Sequence, residues 1–339
     1  MSDVLKFGQN GKNKSKFSEW LHYLTTSRGR FFSYKVMGAV SIGIPTFFAS
    51  YQTFFIDYYL NFVRAYRNGL PLEVPEELES LVDKASDRVK LTVVEATYLK
   101  AFMISGFDIR TYGSVHSRYS GWIGLPLNYM YSTSQDIDRM NLKLRTEQID
   151  WNSKYGELLE KSLVLTEDEK LFGILRSVLE LRNYNHIHTT LVPGATIFAL
   201  YSSARAINDR YNLFQIPRSG RMLVYTVLSF FAYGIYSFIT DTIRISQVSS
   251  IDKALVELGT DVIESGIRFY EKLLRKNIAI RELSGKDLYS VKGNEYPGLL
   301  RFNVFPLTTR KLFLQTALQE TKKKETEDAK TDCEDNISS

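Results

Sequence analysis

The sequence predicts an α+β protein anchored in a membrane. It should have two or three transmembrane helices, a mixed α/β soluble region and a long C-terminal amphipathic helix. The first sign is Met222–Thr240 (MLVYTVLSFFAYGIYSFIT), 19 uncharged residues between Arg221 and Asp241. At about 1.5 Å per residue this makes a helix of about 28 Å, close to the hydrocarbon thickness of a bilayer. The second is Val36–Ile56, another 21 uncharged residues between Lys35 and Asp57. The third is a mean hydropathy of −0.19. That is too polar for a transporter built of many spans and fits a soluble body tied down by a few helices.

The net charge of +5 is concentrated at one end. Residues 1–35 carry seven basic groups against Asp3 and Glu19, and the rest of the 339 residues balance to zero. A basic arm ahead of an apolar run is the positive-inside pattern. The arm also has the Ser/Lys-containing, acid-poor character of a mitochondrial presequence. A nucleic-acid-binding tail is the competing reading, but no basic face continues downstream, and no nucleic-acid partner is expected. The single cysteine, Cys333, lies in a polar tail, which excludes a disulfide framework and a cysteine metal site.

Taken in order, the chain divides into a basic arm (1–35), a transmembrane helix (36–56), a soluble α+β region (57–188), a transmembrane or re-entrant helical hairpin (189–240), a C-terminal helical region (241–320) and a disordered charged tail (321–339). Pro45 kinks the first span, which a membrane helix tolerates. Asp57–Asn68 continues as an aromatic, mildly basic segment that ends at Gly69. Pro75 is placed as the first residue of a helix over Glu76–Lys90, with Glu76, Glu77 and Glu79 at the positive end of its dipole. Leu78, Leu81, Val82 and Val89 give it one apolar stripe, as a surface helix has.

From Leu91 to Ile149 β-branched and aromatic residues cluster between Gly and Ser breaks. KLTVVEATYL, GWIGLPLNYMYST and MNLKLRT read as short strands of a mixed sheet, with Gly121–Pro126 turn-like. Leu163–Leu181 reads as one helix, with Thr166 as N-cap and Glu169 completing a capping box.

Thr189–Ala204 has 16 uncharged residues with Pro193 and Gly194 inside, short for a crossing, so an interfacial or re-entrant helix is the alternative. If it crosses, the Arg-rich stretch over 205–221 is the short inner loop of a hairpin. In Met222–Thr240, Ala232 and Gly234 are placed to let a neighbouring helix approach. Beyond it Ile251, Leu255, Leu258, Val262, Gly266, Phe269 and Leu273 recur every three or four residues. They predict one amphipathic helix closing near Leu283–Gly285, with glycine as its C-cap. A looped region and a short helix around Thr309–Gln319 precede the charged tail, which lacks apolar residues.

Catalytic motifs are missing. The glycines around Gly8–Lys14 lack P-loop spacing, no G-x-S-x-G elbow occurs, and Cys333 has no partner histidine. His186 and His188, two apart, would point about 200° away from each other on a helix and would not share a metal. The remaining histidines are His22 and His116, and the methionines show no copper-carrier clustering. The order GLPLNYMY, strands and LTEDEKLFGILRSVLE resembles membrane-bound zinc metallopeptidases. Aligned on Glu167–Glu169, however, the positions of their H-E-x-x-H motif hold Arg176, Ser177 and Glu180, so that chemistry is excluded there. No cofactor, metal or catalytic residue is assigned.

Within the C-terminal helix Gly266–Leu274 (GIRFYEKLL), Asn277, Ala279, Arg281, Leu283 and Gly285-Lys286-Asp287 resemble the transmembrane protein 177 family. So do Leu288-Tyr289, Gly293-Asn294 and Pro306–Arg310 (PLTTR). Upstream, Gly121–Pro126, Asp150-Trp151 and Ser162–Lys170 fit the same pattern, and the similarity covers roughly residues 36–318. The resemblance implies a multi-pass protein of the mitochondrial inner membrane. It also implies a role early in cytochrome c oxidase assembly, with the factor that chaperones newly made subunit 2 as partner.

Phe269, Leu273 and Leu274 are expected in the core, and Gly266 at a close packing point. Tyr270, Glu271, Lys272, Arg281 and Arg310 are the candidate partner surface, because polar groups contribute little to a core. The functional expectation is a non-catalytic assembly factor that binds and stabilises a partner complex. The rival is a membrane-bound hydrolase with an unrecognised site. A lipid-handling or channel protein is disfavoured, since neither of the two longer uncharged runs contains a charge.

Overall fold

The computed structural model describes residues 19, 20, 23, 24, 26–140, 142–144, 147–183, 185–285, 288–297, 301 and 305–337. The basic arm to residue 18, His22, Lys286 and Asp287 lie outside them, as does the His186 side chain. The first helices are α1 (Ser27–Gln52) and α2 (Ile56–Val63). A two-residue hairpin, β1 (Tyr66–Arg67) and β2 (Leu70–Pro71), leads to α3 (Glu76–Val89) and α4 (Val93–Thr97). Strands β3 (Leu99–Ile104), β4 (Arg110–Gly113) and β5 (Gly121–Pro126) follow, then β6 (Lys143–Leu144) and β7 (Glu147–Gln148). The remainder is helical: α5 (Lys154–Leu163), α6 (Glu167–Arg182), α7 (Asn185–Tyr211), α8 (Arg218–Glu257), α9 (Thr260–Ser284) and α10 (Leu307–Ile337). The chain forms two compact units, Met1–Thr46 with Leu191–Tyr233 and Phe47–Thr190 with Gly234–Ser339.

The first unit is helical. Among the described residues two helices are long and apolar enough to cross a membrane, over Ser27–Ser50 and Ser219–Glu257, and within each the most apolar 18-residue window is only 6% buried. The first span thus begins nine residues ahead of the uncharged run. Hydroxyls along these helices satisfy themselves on their own backbone: Ser41 donates to Met37 O, Thr46 to Ile42 O, Thr226 to Met222 O and Ser229 to Tyr225 O, each at 2.8–2.9 Å. That back-bonding suits a medium without water.

Helix α7 has 27 residues but does not reach the composition of the other two. It runs antiparallel to α1, with Tyr201 beside Tyr34 at 6.0 Å and Asp209 3.9 Å from Arg30. Gly194 faces Pro45, and a Cβ there would lie 2.3 Å from the proline ring. Gly234, expected to admit a neighbour, has nothing within 4 Å of the corresponding position among the described residues. The close approach is made by Gly194.

The second unit is built round α6. Its residues are buried on nearly every side, with Phe172, Ile174 and Val178 fully enclosed. Helices α3 and α9 pack on it, and so do β4 and β5. The expected stripe of α3, Leu78, Leu81, Val82 and Val89, is buried as predicted. Pro75 is its N-cap rather than its first helical residue.

The sheet is mixed, in the order β3-β5-β4, with β3 parallel to β5 from Leu99↔Gly121 to Ile104↔Pro126 and β4 antiparallel to it. Gly121–Pro126 is therefore the central strand and not a turn. Its glycines admit neighbours: a Cβ on Gly124 would lie 2.7 Å from Ile104, and one on Gly121 3.0–3.1 Å from Ser114 and Val115. Val93–Thr97, expected in a strand, forms α4 with Thr92 as its N-cap, because the Thr92/Glu95 capping box outweighs the β-branched composition.

Two predicted single helices are each broken. Leu163–Leu181 splits after Leu163, where Val164 and Leu165 lead into Thr166, the N-cap of α6, with its capping box formed. The long amphipathic helix splits at Gly259, whose φ of +129° a helix cannot hold, so Ile251 and Leu255 end α8 while Val262–Leu273 belong to α9. Gly285 caps α9 in the left-handed region, as expected. The charged tail, expected to be disordered, continues α10 as far as Ile337. Its Lys, Glu and Ala are good helix formers, and Lys322 pairs with Glu264 of α9 at 2.8 Å.

Gly266 is the close packing point between α9, α6 and α10. A Cβ there would lie 2.4 Å from the Phe172 ring and 2.7 Å from Leu314 Cδ1. Gly266→Val should therefore destabilise the protein by about 1–3 kcal/mol through overpacking, read as a lower urea midpoint in mild detergent. Gly234→Val should leave the midpoint unchanged, and equal midpoints would show that the Phe172 contact has slack.

Candidate partner surface and the charged cleft

Helix α9 turns Tyr270 inward. Its ring stands edge-on to Phe172 at 5.6 Å and to Phe269 at 5.8 Å, and the side chain is fully buried. The Arg310 guanidinium lies 4.9 Å from the centre of that ring. It also forms a two-pronged ion pair with Asp252: Nε donates to Oδ2 at 2.9 Å and Nη2 to Oδ1. Arg310 and Asp252 are each about 3% exposed at the side chain. Burial pushes the Tyr270 phenol upward, and Arg310 works against that shift. Neither Tyr270 nor Arg310 belongs to a surface. A polar tip does not keep a side chain out of a core when an aromatic ring and a carboxylate cover its charge.

The other three candidates lie further out. Glu271 accepts from Arg275 at 2.6 Å and lies 3.6 Å from Lys311. Lys272 reaches across to the start of α6, donating to Val164 O at 2.7 Å and to the buried Glu169 at 2.6 Å. Arg281, further along α9, is 3.3 Å from Glu282. The structure thus brings Tyr270 and Arg310 together and leaves Glu271 as the most exposed of the five.

Beside this cluster lies a cavity of about 470 Å³ walled by α6, the end of α8 and the start of α10. Arg176 and Glu180 line it from α6, Asp241 and Arg244 from α8, with Arg301 and Arg310 opposite. Asp241, fully buried, accepts from Arg301 at 2.8 Å. Asp241, Asp252 and Arg301 were not anticipated. The usable signal was positional: Asp241 directly ends the uncharged run, and Asp252 sits within an apolar stripe between Ile251 and Leu255.

Among the described residues no three His, Cys, Asp or Glu side chains are grouped as metal ligands. Ser177, at one of the metallopeptidase positions, donates to Gly173 O within its own helix. His116 lies with Nε2 2.8 Å from Arg182 O and Nδ1 3.4 Å from Glu95. The nearby Ser114 hydroxyl donates to Leu181 O, so imidazole and hydroxyl are not arranged as base and nucleophile. The Thr92 backbone N–H holds the Glu95 carboxyl below the usual carboxylate range.

A family model described as transmembrane protein 177 matches residues 24–299. The chain belongs to the transmembrane protein 177 family. It is similar to the protein of that name from Homo sapiens, 28% identical over 72% of this chain and 78% of the human one. For the Xenopus laevis protein the values are 26%, 88% and 96%. The match to the Rattus norvegicus protein, 26% identical over 56% of this chain, spans 62% of the rat protein's length, just under two thirds. No solved structure matches the chain. The family match stops short of Pro306–Arg310, so Asp252 lies inside it and Arg310 outside.

Asp252→Ala leaves a buried arginine unpaired and should cost about 3–5 kcal/mol. Tyr270→Phe removes a hydroxyl with no hydrogen-bond partner among the described residues and should be neutral or slightly stabilising. Thermal unfolding of the two variants in detergent separates them. Equal losses would mean that the tyrosine hydroxyl is held after all.

Proposed function

We propose that this chain is a non-catalytic assembly factor of the mitochondrial inner membrane. It acts early in the biogenesis of cytochrome c oxidase subunit 2, with the factor that chaperones that subunit. The family match over residues 24–299 is the observation that carries the reading, and the two membrane-crossing helices support it. Glu271, with Arg275 and Lys311 beside it, and Arg281 form the flank offered to the partner. Tyr270 and Arg310 brace that flank from inside the core, and Lys272 fixes it to α6.

The protein crosses the membrane three times, with α7 as the second crossing. Residues 57–188 and 241–320 share one core, α6 against α9, so both lie on the same side of the membrane. A chain that leaves that side after α6 and returns before α9 needs an even number of crossings between them. Helix α8 is one, and α7, lying antiparallel along α1, is the other. Pro193 and Gly194 lower its apolarity; proline and glycine are more frequent in membrane helices than in soluble ones, and small residues such as glycine are enriched where such helices pack closely. With the basic arm in the matrix, the soluble unit faces the intermembrane space.

Affinity purification of the full chain from mitochondria in mild detergent should recover oxidase-assembly proteins. Glu271→Arg should lower that recovery without changing the abundance of the chain, and recovery of none from the unmodified protein would overturn the reading. Protease added to mitoplasts should remove two epitopes together, one in the 57–188 region and one on the C-terminal tail. Loss of only one would mean that α7 does not cross.

A further inference from the structure

Helix α2 has three faces. Ile56 and Leu60 are buried against Phe102 and Ile104 of β3. Asp57 and Asn61, four residues apart, share a second, polar face. Phe55, Tyr58 and Phe62 share the third at spacings of three and four, and no described residue covers it: Tyr58 is 77% and Phe62 88% exposed. In a water-soluble surface helix the position of that third face belongs to polar residues. Here the core has already been served by the first face, and a second apolar one is turned outward.

The site of this face in the chain says what covers it. Only three residues lie between α1 and α2, and the four steps from Gln52 to Ile56 reach at most about 14 Å. The connection is a tight one, with Phe55 N–H bonded to Ser50 O at 3.0 Å and Ile56 N–H to Thr53 O at 3.3 Å. The face therefore starts within the depth of the headgroup layer in which the first span ends. Its composition is that of the membrane–water boundary, phenylalanine and tyrosine rather than leucine.

Charge completes the pattern. Phe54, also exposed, has its ring 5.2 Å from Tyr119. The Arg118 guanidinium lies 4.9 Å from the centre of the Tyr119 ring and donates to its hydroxyl at 2.7 Å. No acidic side chain pairs with Arg118 among the described residues. An exposed phenylalanine against a half-buried tyrosine, with an unneutralised arginine at the rim, suits acyl chains on one side and lipid phosphate on the other.

We propose that α2 is an in-plane anchor: it lies in the membrane interface, with Phe55, Tyr58 and Phe62 set into the headgroup–acyl boundary and Arg118 at the level of the phosphates. This anchor goes beyond the assembly role and is independent of it. It fixes the soluble unit at a set height and rotation on the bilayer, which a span joined by a flexible linker would not do.

Because Cys333 is the single cysteine, site-directed spin labelling tests this on the full chain. In a Cys333→Ser background, nitroxides are placed separately at Phe62→Cys, Tyr58→Cys, Asp57→Cys and Ser80→Cys. The proteins are reconstituted into vesicles of phosphatidylcholine and phosphatidylglycerol. At 58 and 62 the ratio of collision with oxygen to collision with a water-soluble nickel chelate should be several-fold higher than at 80, and at 57 it should resemble 80. A label at 62 as open to nickel as the one at 80 would overturn the proposal. So would a label at 62 that is immobile and shielded from both reagents, which would mean that protein covers this face.

Discussion

The fold of the second unit depends on one buried carboxylate, Glu169. It closes the capping box of α6 by accepting from the Thr166 N–H at 2.8 Å, and it receives the Lys272 ammonium from α9 at 2.6 Å. A carboxylate that is 1% exposed would be strongly unfavourable alone. It is stable here because a helix N-terminus and a cation reach it from two sides. Since α6 is the helix round which the unit packs, the same contact sets both where that helix begins and where α9 lies along it. The register that follows puts Gly266 over the Phe172 ring and turns Tyr270 toward the same ring, which in turn makes the seat for Arg310.

The charges of this unit are thus largely engaged in holding it together. Asp252 with Arg310 and Asp241 with Arg301 repeat the arrangement at the far side of α8, each carboxylate buried and each arginine reaching it from residues 301–310. Such pairs fix geometry more than they add stability, because removing two charges from water offsets most of their attraction. They suit a body that must present a defined surface. Groups locked in this way also have little freedom to exchange protons with a substrate, and the cleft between them mixes both signs of charge instead of concentrating one.

What was legible in the sequence follows the range of the forces involved. The uncharged run Met222–Thr240, the stripe of α3, the capping box at Thr166 and the C-cap at Gly285 are local patterns, and each lies where the residues placed it. The run Val36–Ile56, in contrast, is divided between α1, which ends at Gln52, and the start of α2. Gly121–Pro126 was misread because two glycines and a proline signal a turn, whereas here the glycines make room for Ile104 and Val115, residues not adjacent in the chain. Gly259 was missed because one residue interrupts a stripe that keeps its period on both sides. Tyr270 and Arg310 were placed outside for a similar reason: Asp252, which makes Arg310's burial tolerable, is 58 residues away. Most local patterns were read correctly, the Thr92/Glu95 capping box and the helix-forming tail being the exceptions, and partners supplied by tertiary packing were not.

The membrane unit shows the same division. Both α1 and α7 carry a proline that removes a backbone donor, and both run on as continuous helices. Sequence alone treats the two prolines as separate weaknesses, and the one in α7, within a shorter apolar run, as grounds to doubt a crossing. Packing changes their meaning. Pro45 of α1 sits against Gly194, next to Pro193 on α7, and the missing Cβ of Gly194 lets the proline ring approach. Where two helices meet at small residues, contact between them can replace contact with lipid, so a crossing helix need not be apolar all round. The low apolarity of α7 fits its position beside α1, where Gly194 and Pro45 meet.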